Sequence, residues 1–175
     1  MNKKIKNATL VNSNNIVFKS KLEESIYNTL LKLGFNPQYE PYTFTLWDSF
    51  NPVTPFYDKE TTTQYNKRIN IDKKNKGKIL VLKTGKITGI RYTPDFYFRY
   101  NNIDVFIEAK GIENDVFYIK KKLFRKFLDN KLQKDNQHSI YFEIYTKKQL
   151  LQAIEILKDY EKSIRENTRV NTNTP

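Results

Sequence analysis

Hydrophobic positions fall into alternating helical and extended periods along most of this chain. Ser20-Lys-Leu-Glu23 has the S-x-x-E form of a capping box. Leu22, Ile26, Leu30 and Leu33 then share one helical face, and Gly34 stands at a terminating position, which together predict a helix over 21–33. Tyr42, Phe44 and Leu46 alternate with Thr43 and Thr45 as in a half-buried strand. Residues 78–83 and 86–92 read as two strands turning at Thr84-Gly85, and two aromatic and β-branched runs flank Asn101-Asn102. A helix over 116–130, with Val116, Ile119, Leu123 and Phe127 as its expected buried stripe, a strand over 139–145 and a helix over 147–162 follow. The pattern breaks in three places: a polar segment over 1–13, expected to be loose; a polar, proline-containing insertion over 48–78; and an Asn/Thr-rich tail over 166–175, expected to be disordered. Between the ends lies a single domain over 14–165. The expected class is α/β, a central mixed β-sheet flanked by helices.

A two-residue loop at Asn101-Asn102 fixes a register. Phe96 then faces Ile107, Phe98 faces Val105 and Tyr100 faces Ile103, an apolar face throughout. On the other face Tyr97 meets Phe106 and Arg99 meets Asp104. Carried on by one rung, the register sets Asp95 opposite Glu108, with Lys110 two residues further on the same face. Two carboxylates so placed repel each other where water is scarce, and a divalent cation between them relieves the repulsion. Mg²⁺, with Mn²⁺ as its substitute, accepts one or two carboxylates and keeps positions open for water and phosphate oxygens. Lys110 beside it suits a role in positioning or deprotonating the attacking water, or in stabilising charge on phosphorus.

Composition narrows the chemistry. With Cys 0 and His 1, disulfide scaffolds, thiolate or multi-histidine metal sites and thiol nucleophiles are excluded, so any metal sits on oxygen ligands. The 175 residues carry Lys+Arg 31 against Asp+Glu 19, a formal net charge of +12, which points to a polyanionic partner. Lys121, Lys122, Arg125 and Lys126 crowd the polar face of the helix over 116–130 as like-charge i,i+4 pairs, and DNA phosphate would offset that repulsion. Lys67, Arg68, Lys73 and Lys74 in the insertion form a second candidate DNA surface. No apolar run suits a signal peptide or a membrane span, so a cytoplasmic protein with no membrane partner is expected.

Pro94-Asp95 followed by Glu108-Ala109-Lys110 resembles the P-D…(D/E)-x-K signature of the PD-(D/E)XK nuclease superfamily. The order of Ser20-x-x-Glu23, Gly34-Phe35, Tyr39-Glu40, Tyr92-Thr-Pro-Asp-Phe96 and Glu108-x-Lys-Gly111 is similar to small phage-encoded members, among them junction-resolving enzymes of the endonuclease I type. Tyr118-Ile-Lys-Lys-Lys-Leu-Phe124 is similar to a second phage family of the same superfamily. The resemblance covers about 14–146 without 48–89. It implies a restriction-endonuclease-like core, Mg²⁺-dependent endonuclease activity on DNA, and a homodimer acting on branched junctions. It also implies a metal site of Asp95, Glu108 and Glu23 helped by the Ala109 carbonyl, with Lys110 catalytic.

Plainer readings stand beside these. Glu23 also occupies N3 of a capping box, and Glu24 is its rival for the metal. Asp95 and Glu108 can be read as solvated charges at a sheet edge, Glu40 as structural, His138 as surface. Part of the lysine excess matches AT-rich coding, and the whole chain can be read as a DNA-binding protein or complex subunit that keeps the fold without cleaving.

Overall fold

The computed structural model describes residues 10–13, 15–71, 77–111 and 114–172, with side chains through residue 166. Residues 1–9 and 173–175, and the candidate cations Lys73 and Lys74, lie outside the described residues. In chain order the elements are β1 (Val11–Ser13), β2 (Ile16–Phe18), α1 (Lys21–Lys32), β3 (Gln38–Tyr39), β4 (Phe44–Trp47), β5 (Phe56–Thr61) and α2 (Thr62–Arg68). They continue with β6 (Lys78–Lys83), β7 (Ile90–Tyr92), β8 (Phe96–Tyr100), β9 (Ile103–Ala109), α3 (Asp115–Asp135), β10 (Ser139–Ile144) and α4 (Lys147–Thr172). The class is α/β, with a mixed sheet and four helices among the described residues. No helix among them is long and apolar enough to cross a membrane.

Local chemistry accounts for the ends of α1. The Ser20 side chain accepts from the Glu23 N–H, and Gly34 at φ 84° lets the Phe35 N–H reach the Leu30 carbonyl at 3.0 Å, a Schellman closure. The hairpin of β8 and β9 turns at Asn101, φ 52°, and runs from Tyr100↔Ile103 to Phe96↔Ile107 in the register its side-chain alternation requires. β10 joins β9 in parallel and β3 joins β8 antiparallel, giving the order β10-β9-β8-β3. One face of this sheet packs Phe96, Phe98, Val105 and Ile107 against Ile26 and Leu30 of α1 and Leu150, Ile154 and Leu157 of α4. The other face packs Phe106 with Tyr92 and with Phe117, Phe124 and Leu128 of α3.

The chain divides into two compact units, one of Met1–Leu46 with Arg91–Pro175 and one of Trp47–Ile90. The second unit corrects the expected local pairing. β6 does not turn back on residues 86–92 at Thr84-Gly85; it pairs antiparallel with β5 from Phe56↔Lys83 to Thr61↔Lys78, while β7 pairs with β4. Within the expected polar insertion, Thr61 caps α2 in a capping box with Gln64.

Two further expectations change at the ends. Val11–Ser13, expected to be loose, pairs with Ile16–Phe18, and the hairpin is anchored by Phe18, which is fully buried. α4 continues to Thr172, past the start of the expected disordered tail.

The stripe of α3 also differs. Val116 and Ile119 are exposed, and the buried positions are Phe117, Lys121, Phe124 and Leu128. A lysine belongs to this stripe because Glu143 of β10 lies against it, with Nζ and Oε2 2.9 Å apart.

Candidate active site

The sheet positions the acidic pair. β8 begins at Phe96, and Asp95, just before it, is held from both sides. Its carbonyl accepts the Glu40 N–H at 2.8 Å, and its Oδ2 accepts the Ala109 N–H at 2.7 Å. The carboxylate thus takes a strand amide of β9 that would otherwise seek a ladder partner. Glu108, one rung beyond the last β8–β9 pair, is almost fully buried. Burial pushes the Asp95 carboxyl well above the ordinary carboxylate range, and the charge of Glu108 pushes it further. Glu23 adds to this, while the Ala109 N–H and Lys110 oppose it.

Glu108 is gripped at both oxygens. The Lys110 ammonium donates to Oε1 at 2.6 Å and the Tyr92 hydroxyl donates to Oε2 at 2.7 Å. Tyr92 also lies 3.0 Å from the Tyr141 hydroxyl, and burial pushes both phenols upward, so both stay protonated donors. Lys110 has a second anchor: its Nζ stands 3.9 Å from the centroid of the buried Phe117 ring.

Glu23 is buried on α1, where its carboxylate accepts from Ser20 Oγ at 2.8 Å, the Lys19 N–H at 2.9 Å and the Tyr39 hydroxyl at 2.6 Å. The capping and site readings of Glu23 are therefore compatible, since the residue at N3 is also the one that faces the site. Glu40 has φ 46°, and its carboxylate pairs with Lys19.

Glu23, Asp95, Glu108, Ala109 and Lys110 all line a single cavity of about 900 Å³. Glu24 is not among its lining residues. The basic residues divide differently. Lys121 and Arg125 converge on Glu143, at 2.9 and 2.7 Å, so the repulsion of this one pair is answered inside the protein. Lys122 and Lys126 are exposed, with the Lys122 ammonium 4.3 Å from the Tyr118 ring. In the second unit Lys67 is exposed, while Arg68 pairs with Glu60 at 3.3 Å and stacks on Tyr65.

Arg91, Tyr92, Phe117 and Lys120 are among the lining residues that the sequence pattern does not assign to the site. Phe117 carried a usable signal in its i,i+7 spacing to Phe124, which the shifted stripe concealed. Tyr92 stands two residues before the Pro94-Asp95 pair, but its partner Glu108 is known only from the fold.

A hard divalent cation suits the donors present. Only one Asp95 oxygen is hydrogen-bonded among the described residues, the carboxyl is held above its ordinary range by burial and by Glu108, and the available ligand atoms are all oxygens. A cation taken up by Glu108 competes with the Lys110 ammonium for Oε1. No protein-family model matches the chain, and neither the curated proteins nor the solved structures contain a significant match.

Proposed function

We propose that this chain is a Mg²⁺-dependent endonuclease with a restriction-endonuclease-like core, hydrolysing DNA phosphodiesters. The observation that carries the reading is the meeting of Asp95, Glu108 and Lys110 with Glu23 in one cavity, from a hairpin and a helix far apart in sequence. The single Lys110 ammonium on Glu108 leaves Asp95 and Glu23 without a cation partner among the described residues, and an acidic group of that kind favours an added cation. Resemblance to the PD-(D/E)XK superfamily supports the same assignment.

In this reading Asp95, Glu108 and the Ala109 carbonyl hold the metal. Glu23, whose oxygens like those of Glu108 each accept at least one hydrogen bond, joins them from α1. The bound cation would lower the pKa of water and neutralise phosphate charge. Tyr92 fixes the Glu108 carboxylate, and Phe117 keeps the Lys110 ammonium at the site. Lys110 supplies positive charge or a proton-transfer group beside the reacting phosphate. The exposed Lys122 and Lys126, and the polar unit carrying Lys67, Arg68, Lys73 and Lys74, are the proposed outer DNA surfaces. The resemblance to junction-resolving enzymes further proposes a homodimer that cuts opposing strands of branched DNA.

The test is a cleavage assay with Mg²⁺ or Mn²⁺ against linear duplex, single-stranded DNA, four-way junctions and RNA. Metal-dependent cutting of a DNA substrate is expected. Tight DNA binding with no cleavage under any metal replaces this reading with that of a non-cleaving DNA-binding subunit.

A further inference from the structure

The charges lining the cavity do not all find partners within it. Four carboxylates are present, Glu23, Glu40, Asp95 and Glu108, and four cations, Lys19, Arg91, Lys110 and Lys120. Lys19 is paired with Glu40 and Lys110 with Glu108. Among the described residues Arg91 and Lys120 have no carboxylate partner. Two cations without a carboxylate partner, in a cavity that also holds the half-buried Asp95 and the buried Glu108, are expected where an anionic ligand enters together with a divalent cation.

Both cations are mounted on the parts that build the site. Arg91 is exposed on β7, immediately before the buried Tyr92 whose hydroxyl holds Glu108. Lys120 is half-buried on α3, three residues after Phe117, the ring that carries the Lys110 ammonium. Each cation therefore sits beside a residue touching a group of the proposed centre, on a strand and a helix rather than on a loop. Such mounting gives positional accuracy at modest entropic cost. Lys121 and Arg125, the cations that the sequence pattern favours, have their charge answered by Glu143 instead.

We infer that Arg91 and Lys120 are the phosphate-binding residues of the cavity, gripping backbone phosphates of a nucleic-acid strand on either side of the reacting phosphodiester. The inference rests on the nuclease reading and extends it. A ligand with several phosphates satisfies both cations and still leaves a phosphodiester for the Asp95–Glu108 centre, so the site takes an internal linkage of a polynucleotide rather than a mononucleotide.

The experiment measures the affinity of a fluorescent DNA duplex by anisotropy, in Ca²⁺ to suppress cleavage, across a salt series. It compares wild type with Arg91→Ala, Lys120→Ala, their double variant, and Lys158→Ala on α4 as a control outside the cavity. Each cavity variant is expected to weaken binding several-fold, and the double variant to reduce the log–log salt slope by about 0.9 for each lost contact. Arg91→Lys should restore most of the slope, because a structural role would not follow charge. Wild-type affinity and slope in the double variant, with wild type binding DNA, would overturn the assignment and leave the nuclease reading in place. Failure of wild type to bind any DNA would overturn both.

Discussion

Burial and the neighbouring Glu108 hold the Asp95 carboxyl above the ordinary carboxylate range, and this has a consequence for stability. With the folded value raised, the native state keeps a proton that the unfolded chain releases. The stability tied to it is complete below the unfolded value and is lost as pH rises through the folded one. In chelator, the melting-temperature advantage of wild type over Asp95→Asn should therefore shrink as pH climbs out of the carboxylate range; an advantage that grows with pH would contradict the account. A second residue-scale prediction concerns Lys110. Lys110→Ala should lower cleavage by about 10²–10⁴-fold while DNA binding survives. Phe117→Leu keeps apolar bulk but removes the ring, and a cation–π contact of this kind is worth about 0.5–2 kcal/mol. Its single-turnover cleavage rate should fall correspondingly, Phe117→Tyr should retain most of it, and equal rates in the two variants would deny the ring its positioning role.

At the scale of elements, α3 and β10 are joined by a charge cluster. Glu143 accepts from both Lys121 and Arg125, and Lys121 lies in the buried stripe of the helix. Removing the shared carboxylate by Glu143→Gln leaves two neighbouring cations, one of them buried, and should cost about 3 kcal/mol. Lys121→Met should cost less, since Glu143 keeps Arg125; urea unfolding midpoints of the two variants give the comparison.

This cluster also explains where the sequence misled. A lysine reads as polar face until its partner on another strand is known, so the true stripe through Phe117, Lys121 and Phe124 was displaced by one position. The hairpin of β8 and β9 was fully legible by contrast, because a two-residue loop and a side-chain period of two admit one register. That register brought Asp95, Glu108 and Lys110 together on paper. The pairing of β5 with β6 is not legible, since Phe56 and Lys83 are joined only by tertiary structure, whereas Thr61-x-x-Gln64 beside it has the spacing of a capping box. Arg91, Tyr92 and Lys120 belong to the site by placement alone, for nothing in their local pattern distinguishes them from other strand and helix residues.

For the whole molecule, a formal net charge of +12 fits a polyanionic substrate, but its distribution matters more than its size. Some cations are absorbed by internal carboxylates, and those left open at the cavity and on the exposed side of α3 should carry the salt-dependent binding. A homodimer cutting paired strands is expected to give a dimeric mass and to prefer a four-way junction over linear duplex of matched sequence in competition. A strict monomer without that preference would remove the junction-resolving proposal and leave the nuclease site untouched. The most direct measurement of the central claim is the cleavage of branched and linear DNA by wild type and Asp95→Asn side by side, with Mg²⁺ and with chelator. The account predicts cutting by wild type only with metal, and none by a folded, DNA-binding Asp95→Asn protein; normal cutting by that variant, or by wild type in chelator, would contradict it.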